Sequence, residues 1–120
     1  MDHLYEIAGD IINLSSTVLE GLNHMKQRME EGQLNETLFL FEDVLEALLS
    51  IENSIQPLTE NKEGLDAAVV ALKQSLEMLA RAYEEKNLGK ALAELSDNLV
   101  PVVEKLRSEL ETALKNYKDS

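Results

Sequence analysis

Apolar residues recur every three or four positions along almost the whole chain, the spacing that lines one face of an α-helix. Leu4, Ile7, Ile11, Leu14, Val18, Leu22, Met25 and Met29 form one such stripe, and Gly32 follows where a helix can close in left-handed backbone. The pattern predicts a first helix from about Asp2 to Glu31. Asn35 is suited to cap a second helix, with Glu36 in its first turn where the helix dipole favours a carboxylate. The main stripe of that helix is Leu34, Leu38, Phe41, Leu45, Leu48 and Ile55; Leu40, Val44, Ile51 and Leu58 make a second stripe beside it. Pro57 and the polar run Thr59-Glu60-Asn61-Lys62 predict its end. Leu65, Val69, Leu72, Leu76, Leu79 and Tyr83 mark a third helix, capped by Thr59 or Asn61 and broken at Lys86-Asn87. Leu88, Leu92, Leu95, Leu99, Val102, Leu106, Leu110, Ala113 and Tyr117 mark a fourth. Pro101 is discordant there and predicts a kink rather than a restart capped by Asn98.

Sliding the chain against itself by 54 positions aligns two of these helices with the other two. Glu30, Glu31, Leu34, Leu38, Asp43 and Leu45 meet Glu84, Glu85, Leu88, Leu92, Asp97 and Leu99 as identities, and the apolar stripes coincide. Identities at polar positions favour a duplicated helical hairpin over a coincidence of amphipathic patterns. With short connections between neighbours, the expected fold is all-α: an antiparallel four-helix bundle of two duplicated hairpins, about 2–57 and about 60–118, in a single domain over 1–120.

Charge changes the picture. Residues 1–60 carry twelve acids against Lys26 and Arg28, a net of −10, whereas residues 61–120 are at −2, for −12 overall. No basic residue stands between Met29 and Asn61, so the second helix is an acidic ridge. Such a surface repels phosphate backbones and anionic lipid, which argues against nucleic-acid and membrane partners. Without a cysteine, disulfides, thiolate metal sites and cysteine nucleophiles are excluded. No run approaches a membrane span and no basic region opens the chain, so a cytoplasmic protein is expected.

The inventory for catalysis is thin. Glu20 and His24 are the nearest approach to a Glu/His metal motif, and no second copy exists; His3 stands alone. Neither histidine neighbours a nucleophile turn, and no glycine-rich phosphate loop occurs. Glu94-Leu95-Ser96-Asp97 and Asp43-Val44-Leu45-Glu46 resemble the paired acidic clusters of all-α nucleotide pyrophosphohydrolases, which implies Mg²⁺ binding by Glu94, Asp97, Asp43 and Glu46. The clusters stand too far apart in sequence for that pattern, and no Lys or Arg set for a triphosphate accompanies the first. No metal or cofactor is expected, and the chain reads as a non-enzyme.

Met25, Met29 and Met78 fall at core spacing. Leu38-Phe39-Leu40-Phe41 and Leu99-Val100-Pro101-Val102-Val103 say more, because four or five successive apolar residues cover more of a helix than one core stripe needs. Phe39, Leu40, Leu49, Val100 and Val103 are therefore expected to form a surface for a protein partner or a second copy, flanked by Glu36, Asp43 and Glu46.

The phrases Leu19-Glu20-Gly21-Leu22, Met29-Glu30-Glu31-Gly32 and Phe41-Glu42-Asp43-Val44-Leu45-Glu46-Ala47-Leu48 resemble a family of small, acidic helical-hairpin proteins of Gram-positive bacteria, a domain of unknown function. Ser75 stands in place of Gly21 in the second half, and Lys86 in place of Gly32. The resemblance implies architecture rather than activity. In size, acidity and helicity the chain is also similar to export chaperones of the flagellar and type III secretion kind. The expected function is a non-catalytic interaction module, a small chaperone or adaptor that binds a partner helix. A self-associating structural homodimer and a Mg²⁺-dependent hydrolase are the alternatives.

Overall fold

The computed structural model describes the backbone of residues 2–59 and 63–119, and the side chains of 6, 9–55 and 64–112. All of the described secondary structure is helical. Helix α1 covers Asp2–Glu30, a 3₁₀ turn covers Asn35–Thr37, α2 covers Leu38–Thr59 and α3 covers Glu63–Glu84. A fourth rod consists of α4 (Leu88–Glu94), a π turn (Leu95–Leu99) and α5 (Val100–Asp119). The 29 residues of α1 rise about 44 Å, close to the longest extent of 49 Å, so the rods run along one axis; the 21 × 19 Å cross-section holds two by two.

The stripes converge on one apolar core. Ile11, Val18, Leu22, Met25 and Met29 enter it from α1, and Ser15 shares their face by donating its hydroxyl to Ile11 O at 2.8 Å. The stripe members Leu4, Ile7, Leu58, Ala113 and Tyr117 lie outside the described side chains, as does His3, and Asn61 lies outside the described residues. Helix α1 meets α2 and α5 most extensively, and α3 packs against α4 and α5; α2 and α3 touch only sparsely. No helix among the described residues is long and apolar enough to cross a membrane.

The turns that follow α1 and α3 close in the same way. Gly32 has φ 81°, with Gly32 N–H donating to Met29 O at 2.9 Å and Gln33 N–H to Arg28 O at 3.0 Å. Fifty-four residues on, Lys86 has φ 53°, with Lys86 N–H on Tyr83 O at 3.0 Å and Asn87 N–H on Ala82 O at 3.0 Å. This 6→1 and 5→2 pairing satisfies the last carbonyls of each helix. Asn87 then caps α4, its side chain accepting from Lys90 N–H at 3.0 Å.

Several local expectations need correction. Asn35 does not cap α2; it opens the 3₁₀ turn, and the side chain that acts there is Thr37, whose hydroxyl donates to Leu34 O at 2.6 Å. Helix α2 passes Pro57 by two residues, to Thr59, the first residue of the polar run expected to end it, because a proline deletes one backbone donor without forcing the chain out of helical dihedrals. Its core face lies between the two expected stripes: Phe41, Val44, Leu48, Ile51 and Ile55 are buried, while Leu38 is 40% exposed.

The irregularity near Pro101 is a π turn just before it, not a restart at Asn98. Val100 N–H bonds five residues back to Leu95 O, and Asn98 Nδ2 instead donates to Glu94 Oε2 at 2.7 Å. The wide turn takes up one residue. Before it, buried positions stand 54 apart: Val18 and Leu72, Leu22 and Leu76, Met25 and Leu79, Phe41 and Leu95. After it they stand 55 apart: Val44 and Leu99, Leu48 and Val103, Ile51 and Leu106, Ile55 and Leu110. One extra residue without a π turn would rotate everything downstream by about 100° and pull the stripe off the core.

Candidate functional site

Val103 is a correction to the expected docking surface. It is fully buried, because the π turn before it sets Val103 on the core face of α5 with Leu99, Leu106 and Leu110. The remaining candidates divide. Leu40 and Val100 are half-buried against the core. Phe39 is 78% exposed and shares the outward pole of α2 with Asp43 and Glu46, four and seven residues on, while Glu36 is exposed in the 3₁₀ turn. Leu49, 49% exposed, lies on a different flank of α2 and looks toward α3.

There the sparse contact between α2 and α3 leaves an apolar groove of about 670 Å³. Phe41, Leu45 and Leu49 line it from α2, and Val70, Leu76 and Ala80 from α3, with Glu52, Lys73, Gln74 and Glu77 among them. Val70 is 49% exposed. Two contacts pin the helices across the seam. Toward one end, Tyr83 packs its ring on Phe41 at 4.9 Å between centroids, and its hydroxyl meets Thr37 Oγ1 at 2.6 Å. Toward the other, Lys73 Nζ lies 2.7 Å from Glu52 Oε1, whose side chain is only 18% exposed. Burial raises the Tyr83 phenol above its ordinary value, while the hydrogen bond with Thr37 works the other way.

The surroundings are acidic. Glu42, Asp43 and Glu46 are exposed on α2, and Asp66, Glu77 and Glu84 on α3. Lys73 is the cation of the lining, and it is engaged by Glu52.

A second depression of about 460 Å³ lies between α3 and the π turn, with Ser75, Met78, Glu94, Asp97, Asn98 and Lys105 in its lining. It holds one of the two acidic pairs considered for Mg²⁺; Asp43 and Glu46 stand on α2 and do not line it. Among the described residues no three His, Cys, Asp or Glu side chains group as metal ligands. Glu20 and His24 are both exposed. Of the methionines, Met25 and Met29 are core and Met78 is 38% exposed.

Val70, Leu76 and Ala80 were not anticipated as lining. For Val70 the signal was present: Ala67-Ala68-Val69-Val70-Ala71-Leu72 is a six-residue apolar run, longer than Leu38–Phe41 or Leu99–Val103.

Fold and site together define an all-α, four-helix protein with an open, apolar, acid-rimmed seam among the described residues. Residues 6–109 match the family described as Domain of unknown function (DUF8042), and the chain belongs to that family. No curated protein and no solved structure matches it.

Proposed function

We propose that this protein is a non-catalytic interaction module that takes a helix of a partner protein into the seam between α2 and α3, as a small chaperone or adaptor. The observation that carries this reading is the groove itself: Leu49 and Val70, each half exposed, face a gap that the chain's own helices leave unfilled. Helix-in-groove recognition needs an apolar trough with polar rims, and this seam has both.

The scaffold under this reading is an antiparallel bundle of two duplicated hairpins in one domain. Opposite chain sense is supported by the cross-seam contacts: early α2 residues Thr37 and Phe41 meet late α3 residue Tyr83, and later Glu52 meets earlier Lys73. Duplication is supported by the repeated turn, hydrogen bond for hydrogen bond, at a spacing of 54. Phe39, Asp43, Glu46 and Glu36 then form an outer face, and Leu40 and Val100 support the core behind it.

Sedimentation equilibrium tests the reading against self-association. A 13.4 kDa monomer at about 50 µM, with the seam free, is expected. A dimer that Leu49→Glu dissociates would overturn it in favour of a homodimer sealed across the seam.

A further inference from the structure

Under that reading and its duplicated scaffold, the seam between α2 and α3 has a counterpart inside the same molecule. Helices α1 and α3 are equivalent at a spacing of 54, and α2 and α5 at 55, so the tightly packed seam between α1 and α5 is the repeat partner of the open one. Comparing the two exposes an exchange of polarity. The closed seam has Leu19 half-buried against the core, and its rim positions are Ser16 and Glu104. In the open seam, Lys73 replaces Leu19 and pairs with Glu52, whose counterpart in the closed seam, Arg107, is charged as well and pairs with Glu111, while the rim positions become Val70 and Leu49. At the Lys73 position a charge replaces an apolar residue, and at Leu49 and Val70 apolar side chains replace the exposed Glu104 and the half-buried Ser16 of the packed seam. A bundle of this architecture therefore does not require Leu49 and Val70 to be apolar. Exposing them has a hydrophobic cost that only an occupant removes.

We infer that the occupant is an α-helix of another protein carrying an apolar stripe flanked by Lys or Arg. The stretch from Phe41 to Glu52 spans about 17 Å, so it accommodates about three helical turns. Cationic flanks follow from the rim, where exposed Glu42, Asp66, Glu77 and Glu84 outnumber exposed Arg81 and Lys73 is already paired. A second copy of this chain fits worse, since each carries a net charge of −12 and would set the same carboxylates against one another.

Three fluorescent helical peptides of about 18 residues, long enough to hold a helix, test the inference by anisotropy against the full chain. One has a Leu stripe with Lys flanks, one the same stripe with Glu flanks, and one is a scramble of the first without a stripe. The Lys-flanked peptide is expected to bind at least tenfold more tightly than either control at low salt and to weaken as salt rises. Leu49→Glu and Val70→Ser, which install the residues of the closed seam at exposed positions, should each weaken it severalfold. Leu49→Glu adds an acid, so affinity arising from charge alone would rise, and that rise overturns the assignment of the site. Preference for the Glu-flanked peptide, lost on Leu49→Glu, overturns the cationic occupant and leaves helix docking standing. Failure of both striped peptides to bind a monomeric protein overturns both.

Discussion

Val103 and Leu49 stand 54 residues apart, the spacing that matches the apolar stripes in the sequence, and the structure predicts unequal effects for Val103→Ala and Leu49→Ala. Val103 is fully buried among Leu99 and Leu106, whereas Leu49 is 49% exposed. Removing two methyl groups from Val103 forfeits about 1.6 kcal/mol of transfer free energy, and the unfilled space brings the loss to about 2–3 kcal/mol. At Leu49 water fills the vacated volume and half the side chain is already wet, so the loss stays under about 1 kcal/mol. With an unfolding entropy of about 2 cal/mol/K per residue, 1 kcal/mol moves Tm by about 4 °C in a chain of 120 residues. Circular dichroism melts should therefore show a drop of about 8–12 °C for Val103→Ala and less than about 4 °C for Leu49→Ala. Equal losses, or a larger loss at Leu49, would mean that the 54-residue register persists to the end of the chain and that the π turn absorbs nothing.

The π turn makes a second prediction: deleting exposed Asp97 together with Pro101→Ala should restore a regular helix and keep a cooperative melt, whereas deleting Glu104 should abolish it by rotating Leu106 and Leu110 off the core. Equal damage from both would count against the one-residue insertion. Lys86→Gly should stabilise by about 0.5–1 kcal/mol, since Lys86 holds φ 53°, and Gly32→Lys should destabilise by a similar amount, both read by urea denaturation. Tyr83 titrates above its ordinary value in the folded state, so its contribution to stability is whole below about pH 10 and is lost as pH climbs through the folded value. Tyr83→Phe should flatten that alkaline loss in pH-dependent urea denaturation; an unchanged slope would refute the assignment. Ser96 Oγ is buried with no hydrogen-bond partner among the described residues, so Ser96→Ala should melt at the wild-type temperature or slightly above it.

The periodicity of three and four was enough to read the helices, because burying an amphipathic face leaves few alternatives once every segment carries one. Gly32 and Asn87 were legible as breaks for the same reason: each has a backbone or side-chain property that few other residues supply. The choice of face was not legible on α2. Leu38, Leu45 and Leu49 are as apolar as Val44 and Ile51, and only the position of α1 relative to α3 decides which set is covered. Val103 was misread because an extra residue changes no local propensity; it shows only when the buried positions of the two halves are compared. The groove was half legible. Leu49 stood out through its repeat, but Val70 joins it across a seam whose openness depends on how far α2 and α3 splay, a property of packing rather than of either helix.

The most direct test of helix docking between α2 and α3 is a titration of ¹⁵N-labelled protein with the Lys-flanked peptide, followed by amide chemical shifts. The account predicts that the largest changes fall on Leu45, Leu49, Val70, Leu76 and Ala80, with Phe39 and its outward neighbours nearly unmoved. Changes centred on Phe39, Asp43 and Glu46, or spread evenly over every acidic residue, would contradict it.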